Sequence, residues 1–241
     1  MEIAKNFPTE IIDLPSKGLV YPEGNPLSEG KIEMKYMTAK EEDILTNQSY
    51  IQSGVVLDKL LQALIVSKIN YSDLIVGDKN AIMVAARILG YGSDYTFNYG
   101  DQEYTVDLSK IDNKPFEISS KGINEFNFTL PSTGVKIAYK ILTHGDEQKI
   151  QAELDGLKKI NKNSSAELST RLKYMITSVG GERDPKTIRE FVDTNLLARD
   201  SRELRKHIKD TQPDVDLTFF PDGSNDRVDI PVGIKFFWPD F

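Results

Sequence analysis

The chain has 241 residues, 39% of them hydrophobic and 28% charged, a balance that supports a folded core and excludes wholesale disorder. A formal net charge of −7 argues against nucleic acid or an anionic membrane as the main partner, because both require a concentrated positive field. The lack of cysteine excludes disulfides and cysteine-ligated zinc.

Residues 1–36 read as an extended arm. Pro8, Pro15, Pro22 and Pro26, with Gly18, Gly24 and Gly30, interrupt helix and favour extended chain with turns. Within the arm, Asp13–Pro22 spells a short apolar strand, a tight turn at Ser16-Lys17-Gly18, and a second extended piece, Leu19-Val20-Tyr21. Lys31–Met37 alternates polar and apolar side chains, as a half-buried strand does.

Residues 37–93 form a first helical block. Thr38 is placed to cap a helix whose first turn carries Glu41, Glu42 and Asp43, ending near Asn47. Over 54–67, Val55, Val56, Leu60, Leu61, Leu64 and Ile65 make a broad helical stripe. Ser72–Ile75 is a short turn or helix. Asp78 is expected to cap a helix running through Ala81, Ile82, Val84, Ala85, Ile88 and Leu89, closed by Gly90 and Gly92.

After Gly92 the period becomes that of strands, giving a β region over 94–143. Tyr95–Tyr99 and Glu103–Leu108 flank a glycine turn as a hairpin does, and Glu125–Leu130 and Val135–Leu142 are two further strands. One small antiparallel sheet is expected across 95–142. A second helical block, 144–211, holds expected helices at 145–160, 166–179, 185–193 and 195–208, the third opened by Asp184-Pro185. Residues 212–241 are expected to be C-terminal strands, at 215–219, 227–230 and 233–237. The fold class is therefore α+β: arm, helical block, sheet, helical block, strands, packed as one assembly. The apolar stretches around 55–69 and 81–89 are broken by Asp58, Lys59, Gln62, Lys68 and Arg87, so no membrane span is expected. MEIAKNFPTE lacks the charged-then-apolar pattern of a secretion signal, which points to the cytoplasm.

Catalytic machinery is not legible. His144 and His207 stand alone and are expected in surface or capping roles. Asp222–Asp226 superficially resembles a calcium loop, but no bidentate Glu follows at the right place, and a polar hairpin turn is the simpler reading. Ser178–Arg183 has a glycine pair without a phosphate-loop lysine, and no Gly-x-Ser-x-Gly is present. No catalytic, cofactor-binding or metal-ligating residue is assigned, and a non-enzymatic protein is expected. Arg199–Lys209 carries five Lys/Arg with Asp200 and Glu203 between them. It is either a solvated face or a contact for an acidic partner.

The end of the chain gathers Phe236, Phe237, Trp238 and Phe241. A terminus with that much aromatic surface docks, on its own domain or on a partner. The arm's Leu14, Leu19, Val20 and Tyr21 pose the same choice between wrapping their own domain and adding a strand to a partner.

Taken in order, "LPSKGLVYP" at 14–22, "DKNAIMVAARILGYGSDY" at 78–95 and "DIPVGIKFFWPDF" at 229–241 resemble the T4-type bacteriophage baseplate hub subunit family, also described as hub assembly proteins. The resemblance spans most of the chain and is weakest in the middle helical region. It implies an assembly chaperone or scaffold that binds other hub or tail proteins in the cytoplasm of the infected host cell. A structural subunit retained in the virion tail baseplate is one alternative. A tail-associated cell-wall hydrolase, with acids such as Glu41 and Glu42, is another. Some relatives carry zinc-ribbon-like cysteine pairs at two turns; here the matching turns, Asn98–Asp101 and Phe220–Gly223, have no cysteine, which implies hairpins without metal. Partner contact is expected at Leu14, Leu19, Tyr21, Phe236, Phe237 and Trp238. Neither the partner's identity nor a homo-oligomeric state follows from the sequence.

Overall fold

The computed structural model describes residues 8–118, 120–160, 166–221 and 224–237 of an α+β chain built from helices and small antiparallel sheets. β1 (Thr9–Asp13) pairs antiparallel with β2 (Lys31–Lys35), Thr9 opposite Lys35 and Asp13 opposite Lys31. Between them the chain doubles back through the tight turn expected at Ser16–Gly18. Lys17 and Gly18 have φ of 52° and 74°, and a Cβ at Gly18 would lie 2.3 Å from the Ser28 carbonyl oxygen, so only glycine fits. A short 3-10 turn, Pro26–Glu29, starts at Asn25, whose side chain accepts from Leu27 N–H at 3.0 Å.

α1 (Ala39–Leu45) begins at Thr38 as expected. Glu41 Oε2 accepts from both Thr38 N–H (3.0 Å) and Thr38 Oγ1 (2.6 Å), and Lys35 Nζ reaches Glu41 Oε1 at 2.8 Å. Asn47, expected only to end this helix, also caps α2 (Gln48–Gln52) by accepting from Tyr50 N–H. α3 (Val56–Leu64) buries Val56, Leu60, Leu61 and Leu64 on the stripe read from the sequence. After a 3-10 turn at Tyr71–Asp73 comes α4 (Val76–Tyr91), capped by Ile75, so Asp78 is not its N-cap. Asp78 lies inside the first turn and is fully buried, pointed at the arm.

β3 (Asp94–Tyr99) and β4 (Gln102–Asp107) form the expected hairpin about Gly100-Asp101. β5 (Phe126–Thr129) and β6 (Lys136–Tyr139) do not join it. They make a separate three-stranded sheet, because a third partner comes from further along the chain. α5 (His144–Ile160) and α6 (Glu167–Met175) are followed by β7 (Ile176–Val179), where a continuous helix to 179 was expected. Ile176 and Ser178 are buried while Thr177 and Val179 are less so, an alternation of period two, and the β-branched run suits a strand beside β6. α7 (Pro185–Thr194), capped by Asp184, and α8 (Ala198–Thr211) follow. The chain then makes β8 (Thr218–Phe219) and β9 (Val228–Asp229), a short antiparallel pair flanking the turn expected near 222–226. The last described residues, Ile234–Phe237, form a 3-10 turn rather than the expected strand.

Among the described residues, buried apolar side chains fall into two clusters. The first joins the arm (Leu14, Val20, Tyr21), α3, α4 and the β3–β4 hairpin to the C-terminal Val215, Phe219, Ile230, Phe236 and Phe237. The second joins the β5–β6–β7 sheet to Leu172 of α6, Ile188 and Val192 of α7, and Leu204 and Ile208 of α8. Phe126 packs against both.

Candidate interaction surface

Leu14, Tyr21, Phe236 and Phe237, four of the six residues expected to touch a partner, are inside this chain's own core: Leu14 is 1% exposed, Tyr21 4%, and both phenylalanines 0%. Leu19 is half-buried against the same core. Trp238 lies outside the described residues. Phe236 and Phe237 do not alternate between two faces, as the expected strand over 233–237 would have them do, because the segment is a 3-10 turn. Pro231 and Gly233 interrupt strand, and both rings enter the core. Phe236 meets Tyr95 edge-on, with centroids 4.8 Å apart, and the Tyr95 hydroxyl donates to the Pro231 carbonyl at 2.9 Å.

The arm is fastened by Asp78. Its Oδ1 accepts from Ser16 N–H (2.9 Å), and its Oδ2 from Ser16 Oγ (2.6 Å) and the Tyr21 hydroxyl (2.6 Å). Tyr21 in turn accepts from Ile75 N–H at 3.2 Å. Burial pushes the Asp78 carboxyl above the usual carboxylate range, although the bonds from Ser16 and Tyr21 pull the other way, and burial with the Asp78 charge pushes the Tyr21 phenol up. This makes Asp78 a buried acceptor that selects the folded-back form of the arm. A sequence reading of Asp as a helix cap misses it, because its donors Ser16 and Tyr21 stand 62 and 57 positions earlier, beyond any local pattern.

Two features remain outward. Tyr36 N–H bonds to the Pro8 carbonyl and Leu14 N–H to the Gly30 carbonyl, which fixes the phase of the β1–β2 ladder. Thr9, Ile11 and Asp13 therefore direct their backbone groups away from β2. No described strand pairs with that edge, and the Ile11 side chain is 68% exposed. The second feature is the tip of the β3–β4 hairpin. Tyr99 (45% exposed) and Tyr104 pack around Phe219 at 5.8 and 5.1 Å, and Phe220 beside it is 59% exposed. The turn at Asn98–Asp101 is thus held next to β8 by ring packing, and among the described residues no group of three or more His, Asp or Glu side chains is placed to hold a metal.

A polar group surrounds His144. His144, expected in a surface or capping role, is buried, with its ring edge-on to Tyr71 at 4.7 Å. Asp58 Oδ1 accepts from the Tyr71 hydroxyl (3.0 Å) and pairs with Lys79 Nζ (2.5 Å), which stands 3.5 Å from His144 Nδ1. An ammonium has only donors, so Nδ1 is the acceptor and the proton sits on Nε2, which has no partner among the described residues. Burial lowers the His144 pKa, opposed by Asp58 and reinforced by Lys79. His144 does not line the hollow of about 420 Å³ beside it, which is bordered by Ser72, Thr143, Gly145 and Gln148. Its backbone opens α5, where Thr143 and Asp146 cap each other reciprocally and Lys140 pairs with Asp146 at 2.8 Å. That junction repeats the Lys35, Thr38, Glu41 arrangement at the same spacing; the Thr-x-x-acid pattern was the legible signal. Glu41 is buried, and despite that burial its bonds from Lys35 and Thr38 hold it below the usual carboxylate range, opposite to the raised value a general acid needs. Glu42 accepts from the Tyr91 hydroxyl at 3.0 Å.

No family model, curated protein or solved structure matches the chain. No described helix is long and apolar enough to cross a membrane.

Proposed function

We propose that the protein is a non-enzymatic assembly factor for the baseplate hub of a contractile phage tail, binding other hub or tail proteins in the cytoplasm of the infected cell. One observation carries this reading. The three segments that resemble the hub family are far apart in sequence, yet they supply side chains to one core: Leu14, Val20 and Tyr21; Ala85, Ala86 and Tyr95; Ile230, Phe236 and Phe237. The middle helical region, where the resemblance is weakest, packs instead in the other core, through Leu172, Ile188, Val192, Leu204 and Ile208. A resemblance that is sharpest where distant segments pack together is what a shared fold produces, since core positions constrain one another. The contacts would then be made by what this unit leaves outside, the open edge of β1 and the aromatic hairpin tip. An unpaired strand edge accepts a partner strand, and exposed aromatic rings are favoured anchors in interfaces.

The test is affinity capture of the tagged chain from infected cells, with mass spectrometry of both the capture and purified particles. Hub proteins in the capture and no chain in particles is the expected result. A fixed ratio of the chain to hub proteins in particles would make it a structural subunit instead. Capture without any tail protein would end the hub reading.

A further inference from the structure

We infer that the exposed face of α8, with the groove it shares with α6, is a docking site for an acidic protein segment carrying an apolar anchor residue. This goes beyond the hub reading and stands without it. Arg199, Arg202, Arg205, Lys206 and Lys209 are all exposed, and none makes an ion pair among the described residues. Among the described arginines the contrast is sharp, although Arg205 Nε also donates to the Ser201 carbonyl of its own helix at 3.3 Å. Arg171, Arg183, Arg189 and Arg227 each pair with a carboxylate, and Arg87 donates to two backbone carbonyls. A chain with 37 acids against 30 Lys/Arg has carboxylates to spare, yet leaves these five cations unpaired.

Their placement is also ordered. Ser201, Leu204 and Ile208 are the buried side of α8. At about 100° per residue the five cations occupy a sector of roughly 120°, starting with Arg205 beside the buried side, while Glu203 and Asp210 fall outside it. Asp200 is withdrawn from the strip altogether: it is fully buried and accepts from Ser132 N–H, Thr133 N–H and Thr133 Oγ1 at 2.7, 3.2 and 2.9 Å. Bordering the strip is a groove of about 220 Å³ lined by Arg205, Ile208 and Lys209 of α8 and by Leu168, Leu172 and Met175 of α6. Those three α6 residues are one apolar stripe at i, i+4, i+7, and Leu168 is 46% exposed on it. The acid that lines the groove, Glu147, is already held by Arg171.

An apolar slot with unpaired cations along one rim fits an anchor side chain flanked by carboxylates. Nucleic acid fits less well, because the slot is aliphatic and offers no ring for a base to stack on. A membrane fits less well too, because the apolar side of α8 is already buried and the slot is concave.

The test is fluorescence anisotropy on the full chain with a labelled peptide of Glu-Glu-Leu-Leu repeats. Saturable binding is expected, falling several-fold as salt is raised. Arg205→Glu with Lys209→Glu should weaken it about tenfold or more, as should Leu→Ala throughout the peptide. Both substituted side chains are exposed, so circular dichroism should be unchanged, and Leu168→Asp gives an independent loss from the apolar side. No binding, or equal binding by the leucine-free peptide, would overturn the inference. So would single-stranded DNA or phosphatidylserine vesicles binding to this face in place of the peptide. Sedimentation showing a dimer that the double substitution dissolves would reassign the face to a second copy of the chain.

Discussion

The Tyr21 hydroxyl and the Asp78 carboxylate, 57 positions apart, meet at 2.6 Å in the core. Asp78 has no cation among its bonds; three donors from the arm take that place, and the charge that acts on it, Asp214, is another acid. The fold thus commits a buried carboxyl to the arm, and the arm cannot leave without exposing it.

Asp78→Ala should therefore cost about 3 kcal/mol or more, since it leaves the Ser16 and Tyr21 donors buried without an acceptor. Asp78→Asn should cost less, about 1–2 kcal/mol, because its carbonyl still accepts from Ser16 N–H. The pH dependence has a definite sign. A carboxyl raised in the fold binds more protons there than in the unfolded chain, so its contribution to stability declines as pH rises from the unfolded value through the raised one. Urea titrations of wild type and Asp78→Asn across that window would show it; a difference independent of pH would refute it.

Phe236→Ala and Phe237→Ala should each lose about 3–5 kcal/mol, the usual cost of emptying a buried phenylalanine site. Removing residues 236–241 should therefore unfold the first core, with loss of near-ultraviolet dichroism from Tyr95. A truncated chain that fails to assemble hubs then reports a lost fold, not a lost contact. A truncated chain with an unchanged melting temperature would contradict the packing described above.

Gly77 and Gly156 should respond in opposite directions to alanine. A Cβ on Gly77 would stand 1.8 Å from the Pro213 carbonyl oxygen, a backbone atom that cannot swing aside, so α4 and the 213–215 segment must separate. Gly156 meets nothing within 4 Å and sits exposed in α5, where alanine should add about 0.5–1 kcal/mol through helix propensity. Thermal melts of the two variants decide the matter; a harmless Gly77→Ala would show that the α4 contact is looser than it looks.

Local rules were legible where they acted alone. The Ser16–Gly18 turn, the Thr38 start of α1, the α3 stripe, the 95–108 hairpin and the Asp184-Pro185 start of α7 all follow from short-range chemistry. What failed was decided by distant partners. β7 was hidden because Ile176–Val179 continues an apolar period until β6 supplies its ladder. Asp78 looked like a cap because its true partners are Ser16 and Tyr21. The terminal aromatics offered two destinations, and only the space between α4 and the hairpin favours one. The α8 cations were countable in sequence, but their lack of partners was not, since Glu203 stands four positions after Arg199 and three before Lys206, and Asp210 four after Lys206, spacings that pair charges on a helix.

His144 gives a prediction that separates its own titration from its packing. Its pKa is lowered by burial, with Asp58 and Glu147 opposing and Lys79 assisting, so the unfolded chain takes up this proton first. Stability should be complete above the unfolded value near 6.5 and fall as pH drops through the lowered folded value. Every other group is common to wild type and His144→Gln, so the difference between their curves isolates His144. The expected result is that wild type loses melting temperature between about pH 7 and 5, whereas His144→Gln, whatever its starting level, has a shallower slope. Parallel curves would mean that the imidazole gains a partner on protonation, with Asp58 3.9 Å from Nδ1 as the group placed to supply it.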